Sequence, residues 1–330
     1  MYPNRLKMGS HVRVIAPSLS MKIIFAETLN YAASRFQEMG FKVSFGKNIS
    51  EIDVFHSSSI NSRIQDLHDA FQDSTVDAIL TVIGGYNCNQ LLEYIDWSII
   101  KNNPKIFCGY SDITILHNAI LSQTGLVTYY GPHFATFGQK FLDQYEIDYF
   151  LKALTNKQSY FIEPSNEWSN DQWYLDQDKR DFITNTRYWV IQEGSAIGET
   201  IGGHLGTFCL LQGTKYIPSL ENKVLIIEED ADPANPKEFD RRLQSVLQQP
   251  SAEKLAGILI GRFEKAYGMT QSLLIEIIKT KSKLIGKPII ANVDFGHTEP
   301  HCTIPIGGKI EICAEKEKTF IKVLNRSGDY

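Results

Sequence analysis

Short apolar runs alternate with amphipathic stretches through the first half of the chain, and that rhythm narrows the choice of folds more than any other feature. His11–Ala16 reads as a strand ended by Pro17. Ile24 to Met39 has helical periodicity, and Gly40 stands where a C-terminal capping glycine belongs. Phe41–Phe45 reads as a second strand. Asn61 to Phe71 reads as a helix, with Ile64, Leu67 and Phe71 on one face. Asp77–Ile83 and Ile106–Cys108 are continuous apolar strands. A short helix is expected from Asn89, and a longer one from Asp112 to Ser122, stopped by Gly125. Strands apolar on both faces and separated by helices imply a mostly parallel sheet covered by helices on both sides. Such sheets bind ligands beyond the carboxyl ends of their strands.

The rhythm breaks from about 156 to 188, where Pro164, Trp168, Trp173 and a polar run from Asp176 to Asp181 occur. This stretch is expected to be a linker and a long loop. Beyond it, Val224–Ile227, Gly257–Ile260 and Pro288–Ala291 read as strands, and Glu238 to Leu247 and Thr270 to Lys279 as helices. Lys309–Cys313 and Thr319–Val323 suit a terminal hairpin. A length of 330 residues fits two domains. The expected division is 1–155, a linker and loop over 156–188, and 189–330.

Composition excludes some partners. The formal net charge is −5, so no positive excess exists to neutralise phosphates, and nucleic acid is not an expected partner. No run approaches the roughly 20 apolar residues of a membrane span. The first residues lack the apolar core of a signal peptide, so a cytoplasmic location is expected. The five cysteines are scattered and form no C-x-x-C pair. Free buried thiols are therefore expected, with neither a disulfide framework nor a structural zinc site.

The chemistry concentrates at strand ends. Lys105 to Ile113 runs from a buried strand through Gly109 and Tyr110 to Ser111 and Asp112, where a helix begins. A serine on such a turn is lifted out of the sheet, as in a nucleophile elbow, although the second glycine of G-x-S-x-G is replaced by Ile113. On this segment alone a helix-capping serine is the better fit. Gly84-Gly85-Tyr86-Asn87 follows the preceding strand, and paired glycines there let backbone N–H groups approach a ligand. Val224 to Ile227 ends in Glu228-Glu229-Asp230, and Asn292 to Pro300 carries His297 on a turn after a strand. A serine, a carboxylate and a histidine at strand ends have the makings of an acyl-transfer triad.

Gly84-Gly85-Tyr86, Gly109-Tyr110-Ser111-Asp112, Ile227-Glu228 and Asp294-Phe295-Gly296-His297 together resemble, in order and spacing, the motifs of the LD-carboxypeptidase family (the S66 serine peptidases). The resemblance runs from His11 to about Val323. Glu238 to Arg241 and Asn292 to His297 are most similar to its microcin C self-immunity branch. The resemblance implies Ser111 as nucleophile, His297 as general base and Glu228 as its partner. It implies an oxyanion hole of the Gly85 and Asp112 amides. It also implies an N-terminal Rossmann-like domain carrying the serine, a C-terminal β-rich α/β domain carrying the glutamate and histidine, a homodimer, and neither metal nor organic cofactor. Gly202-Gly203-His204-Leu205 departs from the family's Gly-Gly-Asn-Leu, which makes His204 a candidate substrate contact of altered chemistry.

Two substrates suit these expectations. One is a peptidyl or aminoacyl nucleotide of the microcin C type. The other is a murein tetrapeptide losing its terminal D-amino acid. Trp173, between acidic and polar neighbours, is the best candidate to stack on a nucleobase, and Arg187 is a candidate for a carboxylate or phosphate. A cleft between two α/β lobes also suits a non-catalytic small-molecule binder. No P-loop or G-x-G-x-x-G follows a strand.

Overall fold

Five apolar runs lie side by side in the computed structural model, which describes residues 1–231 and 234–325. Lys42–Phe45, His11–Ile15, Ala78–Thr81, Ile106–Gly109 and Thr128–Tyr130 are parallel in that spatial order. Ala78–Thr81 and Ile106–Gly109 are buried along their whole length, as strands covered on both faces must be. A sixth strand, Ile304–Ile306, returns from the far end of the chain and pairs antiparallel with Thr128–Tyr130. At three residues its apolar run is too short to announce a strand.

Helices Ala26–Glu38, Ile60–Gln72, Thr114–Thr124 and Gln144–Thr155 belong to the same half of the chain. Their ends follow local chemistry. The Ser59 hydroxyl accepts the Ser62 amide at the start of one, and Gly125 closes another in the left-handed conformation, φ 71°. Two boundaries differ from expectation. The chain from Ser111 to Ile113 is a 3-10 turn, and the α-helix starts only at Thr114. Cys88–Leu91 is likewise a 3-10 turn, and the α-helix follows later, at Trp97–Asn102.

The second half is an eight-stranded mixed sheet. Gly194–His204, Lys223–Glu228, Gly257–Gly261 and Ile289–Val293 run parallel at its centre. Lys309–Ala314 and Thr319–Val323 form the expected hairpin on one flank, and Trp189–Gln192 closes the other edge antiparallel. The segment expected to be a linker and long loop is not structureless. Tyr160–Ile162 adds an edge strand to this sheet, and Glu167–Trp168 pairs with Ile183–Thr184.

One helix locks the two sheets together. Thr114–Thr124 is buried from Thr114 to Ile120, so it lacks the exposed face of an ordinary covering helix. Its Ile115, Leu116, Ala119 and Ile120 share a core with Ile201, Leu205, Leu225 and Ile227 of the second half. Asn118 bonds both the amide and the carbonyl of Gly202, at 3.0 and 2.8 Å. A Cβ at Gly203 would lie 2.5 Å from Thr114 Oγ1, so only glycine lets the strand come this close. The carboxyl ends of Ile106–Gly109 and Lys223–Glu228 thereby meet.

No helix among the described residues is long and apolar enough to cross a membrane. All five cysteines are free, and four of them are buried.

Candidate active site

Ser111 sits in the left-handed region at φ 61°, between the buried strand Ile106–Gly109 and the helical turn that follows. A non-glycine residue there is strained by roughly 1–3 kcal/mol, and the surroundings must hold it. The Ser111 amide donates to the Tyr130 hydroxyl at 3.2 Å. The buried Asp112 carboxylate accepts the Ser18 hydroxyl at 2.6 Å and the Cys88 amide at 2.9 Å. Asp112 thus pins the Gly84–Cys88 turn against the elbow, a tie that spans sequence separations too long to read locally.

Across the cleft, Glu228 ends its strand with no solvent exposure. Its Oε2 lies 2.8 Å from His297 Nδ1, and its Oε1 accepts the Tyr130 hydroxyl at 2.5 Å. His297 Nε2 lies 3.1 Å from Ser111 Oγ. A carboxylate only accepts, so Nδ1 carries a proton, and in the neutral ring Nε2 is left to accept from the serine. Tyr130 touches both ends of the chain of contacts, through the serine amide and the glutamate.

Electrostatics follow from this packing. Burial pushes the Glu228 carboxyl up, but the facing His297 and the hydrogen bonds from it and Tyr130 outweigh burial and hold the group below the usual carboxylate range. Burial pulls His297 down, but Glu228, with Asp230 and Glu264 beyond it, prevails and raises the imidazole to about 9.

His297 lines a cleft of about 570 Å³ whose walls also include Tyr110, His133, Trp173, Asp230 and Glu264. Of the three tryptophans on or beside the 156–188 segment, Trp173 alone lines it. Trp168 packs on the Arg262 guanidinium, and Trp189 reaches Thr186. The loop bearing Trp173 is held by Arg180, which bonds Asp171 at 2.9 Å, Glu299 at 2.8 Å and Gln139 at 3.0 Å. Arg187 is exposed and is not brought to the cleft; its amide donates to Asn185 and its carbonyl accepts from Asn292. His204 stands behind His297, with ring centroids 5.5 Å apart. It caps the helix Leu205–Cys209, and its Nε2 lies 3.2 Å from Asp230.

Glu229 points away from His297 to Arg242, 2.6 Å from its guanidinium. Among the described residues, His204, Glu229 and Asp230 have the spacing of metal ligands, within 4.8 Å of one another. The Arg242 charge already occupies that neighbourhood.

Residues 12–131 match the LD-carboxypeptidase N-terminal domain, and residues 197–312 match the C-terminal domain of the same peptidase family, S66. The chain belongs to the LD-carboxypeptidase family. Among its relatives is YocD of Bacillus subtilis, assigned by name alone to the carboxypeptidases. It is 48% identical over 94% of this chain and 96% of its own length. The microcin C7 self-immunity protein MccF of Escherichia coli is 30% identical over 84% of this chain and 82% of its own. The crystal structure of an MccF-like protein from Bacillus anthracis superposes with a TM-score of 0.97 at 49% identity, covering 99% of this chain and all of that one. MccF in complex with glutamyl sulfamoyl guanosine gives a TM-score of 0.88 at 25% identity, covering 98% of each chain.

Sequence reasoning missed Tyr130, Tyr110, His133, Asp230 and Glu264 as cleft or contact residues. Tyr110 stands inside the Gly-Tyr-Ser-Asp motif, and Asp230 closes the acidic triplet, so both had a local signal. Tyr130, His133 and Glu264 had none.

Gly296 shows how tightly this site is built. Its φ is 108°, and a Cβ there would lie 2.6 Å from Glu228 Oε2. Gly296→Ala is expected to cost about 1–3 kcal/mol of stability, read by chemical denaturation, and to lower turnover in the same protein. A variant of normal stability and activity would show that the glycine is dispensable.

Proposed function

We propose that this chain is a serine peptidase that hydrolyses an amide bond through an acyl-enzyme, acting on aminoacyl or peptidyl nucleotides. The observation that carries the reading is the hydrogen-bonded chain from Ser111 through His297 to Glu228 at the base of the cleft. In this reading His297 takes the Ser111 proton as the hydroxyl attacks the carbonyl. Glu228 holds the imidazole in the required tautomer and balances the charge that forms. The Gly85 and Asp112 amides receive the developing oxyanion, a contribution of roughly 2.7–4 kcal/mol per donor in a comparable enzyme. His297 then returns the proton to the leaving nitrogen, and water repeats the cycle on the ester.

The nucleotide part rests on the MccF complexes with glutamyl sulfamoyl guanosine and aspartyl sulfamoyl adenosine, and on Trp173 in the cleft wall. Parallel incubation with aspartyl sulfamoyl adenosine and a murein tetrapeptide, with mass detection, tests it. The wild type is expected to cleave the first faster. Base stacking on an aromatic ring contributes about 1–3 kcal/mol. Trp173→Ala is therefore expected to lower kcat/KM for the nucleotide roughly 5- to 100-fold and for the tetrapeptide less than about twofold. Equal losses on both would remove Trp173 from nucleobase recognition. Cleavage of the tetrapeptide alone would replace the substrate reading.

A further inference from the structure

The stem of the loop that carries Trp173 is tied to the turn that carries His297. The Ser169 amide donates to the Glu299 carbonyl and the Glu299 amide to the Ser169 carbonyl, both at 2.8 Å. Glu299 stands two positions beyond His297 in the chain. Past this bridge the loop is exposed from Tyr174 to Asp176. The Trp173 ring packs on Tyr174 of the same loop, with centroids 6.0 Å apart. A ring packed on its own loop takes its position from whatever holds the ends of that loop.

Arg180 holds them. Its side chain is 4% exposed. Its Nε lies 2.9 and 3.0 Å from the two carboxylate oxygens of Asp171, nine residues earlier in the chain. Its Nη1 donates to Gln139 Oε1 at 3.0 Å and its Nη2 to Glu299 Oε2 at 2.8 Å. The Phe182 ring covers the guanidinium, 4.9 Å from centroid to Cζ. Asp171 belongs to the loop, Gln139 to the first half of the chain and Glu299 to the His297 turn. One planar group with donors at fixed angles therefore sets three segments relative to one another, which an ammonium on a flexible stem does not do. The return leg of the loop sits on the same wall. Gln177 accepts the Lys140 amide at 2.9 Å and donates to the Gly138 carbonyl at 3.0 Å. Asp171 and Glu299 line the cleft together with Trp173 and His297, and Arg180 is not part of that lining.

We infer that Arg180 is a positioning residue that sets the Trp173 ring relative to His297, so that affinity for the nucleotide end of the substrate depends on a side chain that does not touch it. The inference rests on the reading of Trp173 given above. Arg180 has no part in the contacts from Ser111 through His297 to Glu228, so its loss acts on binding and spares the chemistry.

The fold tolerates that loss. Burial and the neighbouring Glu146 raise the Glu299 carboxyl to about 8 against the pull of Arg180 and His301, so without the guanidinium it keeps its proton. Asp171 retains the Asp181 amide, 2.7 Å away.

The test is a double-mutant cycle of Arg180→Met and Trp173→Ala on aspartyl sulfamoyl adenosine, with the rate of labelling by a fluorophosphonate as the measure of the serine machinery. Arg180→Met alone is expected to raise KM roughly 5- to 50-fold and to leave kcat and labelling within about threefold of the wild type. In the Trp173→Ala background the same substitution is expected to raise KM less than about twofold, because the ring it positions is gone. Arg180→Lys, which keeps the charge and loses the fork, recovers part of the loss. KM effects that multiply across the two variants overturn the inference. So does an equal fall in kcat and labelling, which is what a general loosening of the fold gives. Both results leave the serine assignment standing. A wild type that labels but leaves the nucleotide intact overturns the nucleotide reading and the inference together. A wild type that neither labels nor hydrolyses overturns the serine-peptidase reading as well. Should Arg180→Met fail to fold, Arg180→Lys takes its place in the cycle, and the same dependence on Trp173 is expected at smaller size.

Discussion

Ser111→Ala is expected to lower turnover by roughly 10⁴- to 10⁶-fold while leaving the protein folded. The magnitude follows from the role proposed for the hydroxyl. It is the atom 3.1 Å from His297 Nε2, and no neighbouring hydroxyl stands in the same relation to that imidazole among the hydrogen bonds of the site. The fold should survive because alanine keeps the Cβ. The backbone strain at φ 61° is therefore unchanged, and the serine hydroxyl takes no part in the contact that anchors the elbow, which runs from its amide to Tyr130. Stability within about 0.5 kcal/mol of the wild type is expected. The measurement is single-turnover hydrolysis with a parallel denaturation curve. A folded variant that turns over normally would remove Ser111 from the chemistry.

Glu228→Gln is expected to lower kcat by about 10³- to 10⁴-fold and to move the pH dependence of what remains. The general base must be neutral to take the serine proton. Because Glu228, Asp230 and Glu264 together raise His297 to about 9, kcat/KM of the free enzyme should climb with pH along an acid limb centred above the ordinary value of 6.5, toward 9. Removing the glutamate charge removes the leading cause of the rise, so the limb should move to lower pH even as the maximum falls. The same pairing contributes to folding stability only while the imidazole is charged. Its contribution is complete below about 6.5 and is lost as pH rises through about 9. Profiles with the same midpoint in wild type and variant would show that Glu228 does not govern the imidazole.

The parts of the site that were legible in sequence are those written into a single turn of chain. Gly109-Tyr110-Ser111-Asp112 after an apolar run marks an elbow because burial, chain reversal and helix initiation all act within a few residues. The elbow's left-handed serine was not legible, since the strain is imposed by its neighbours. Likewise Glu228 and Glu229 are both carboxylates at one strand end. Adjacent strand residues point to opposite faces, so one meets His297 and the other Arg242. Which face is which depends on where the sheet lies.

Local periodicity and turn chemistry were enough to set the alternation of strands and helices, the parallel character of the first sheet and the strand-end positions of Ser111, Glu228 and His297. Packing alone decided that Ile304–Ile306 crosses to the first sheet, that Tyr130 lies against the serine and that His133 lines the cleft. The reason is range. Backbone preference and hydrophobic spacing act over a handful of residues, whereas these contacts join positions separated by tens to hundreds of residues and exist only once Thr114–Thr124 is wedged between the two sheets.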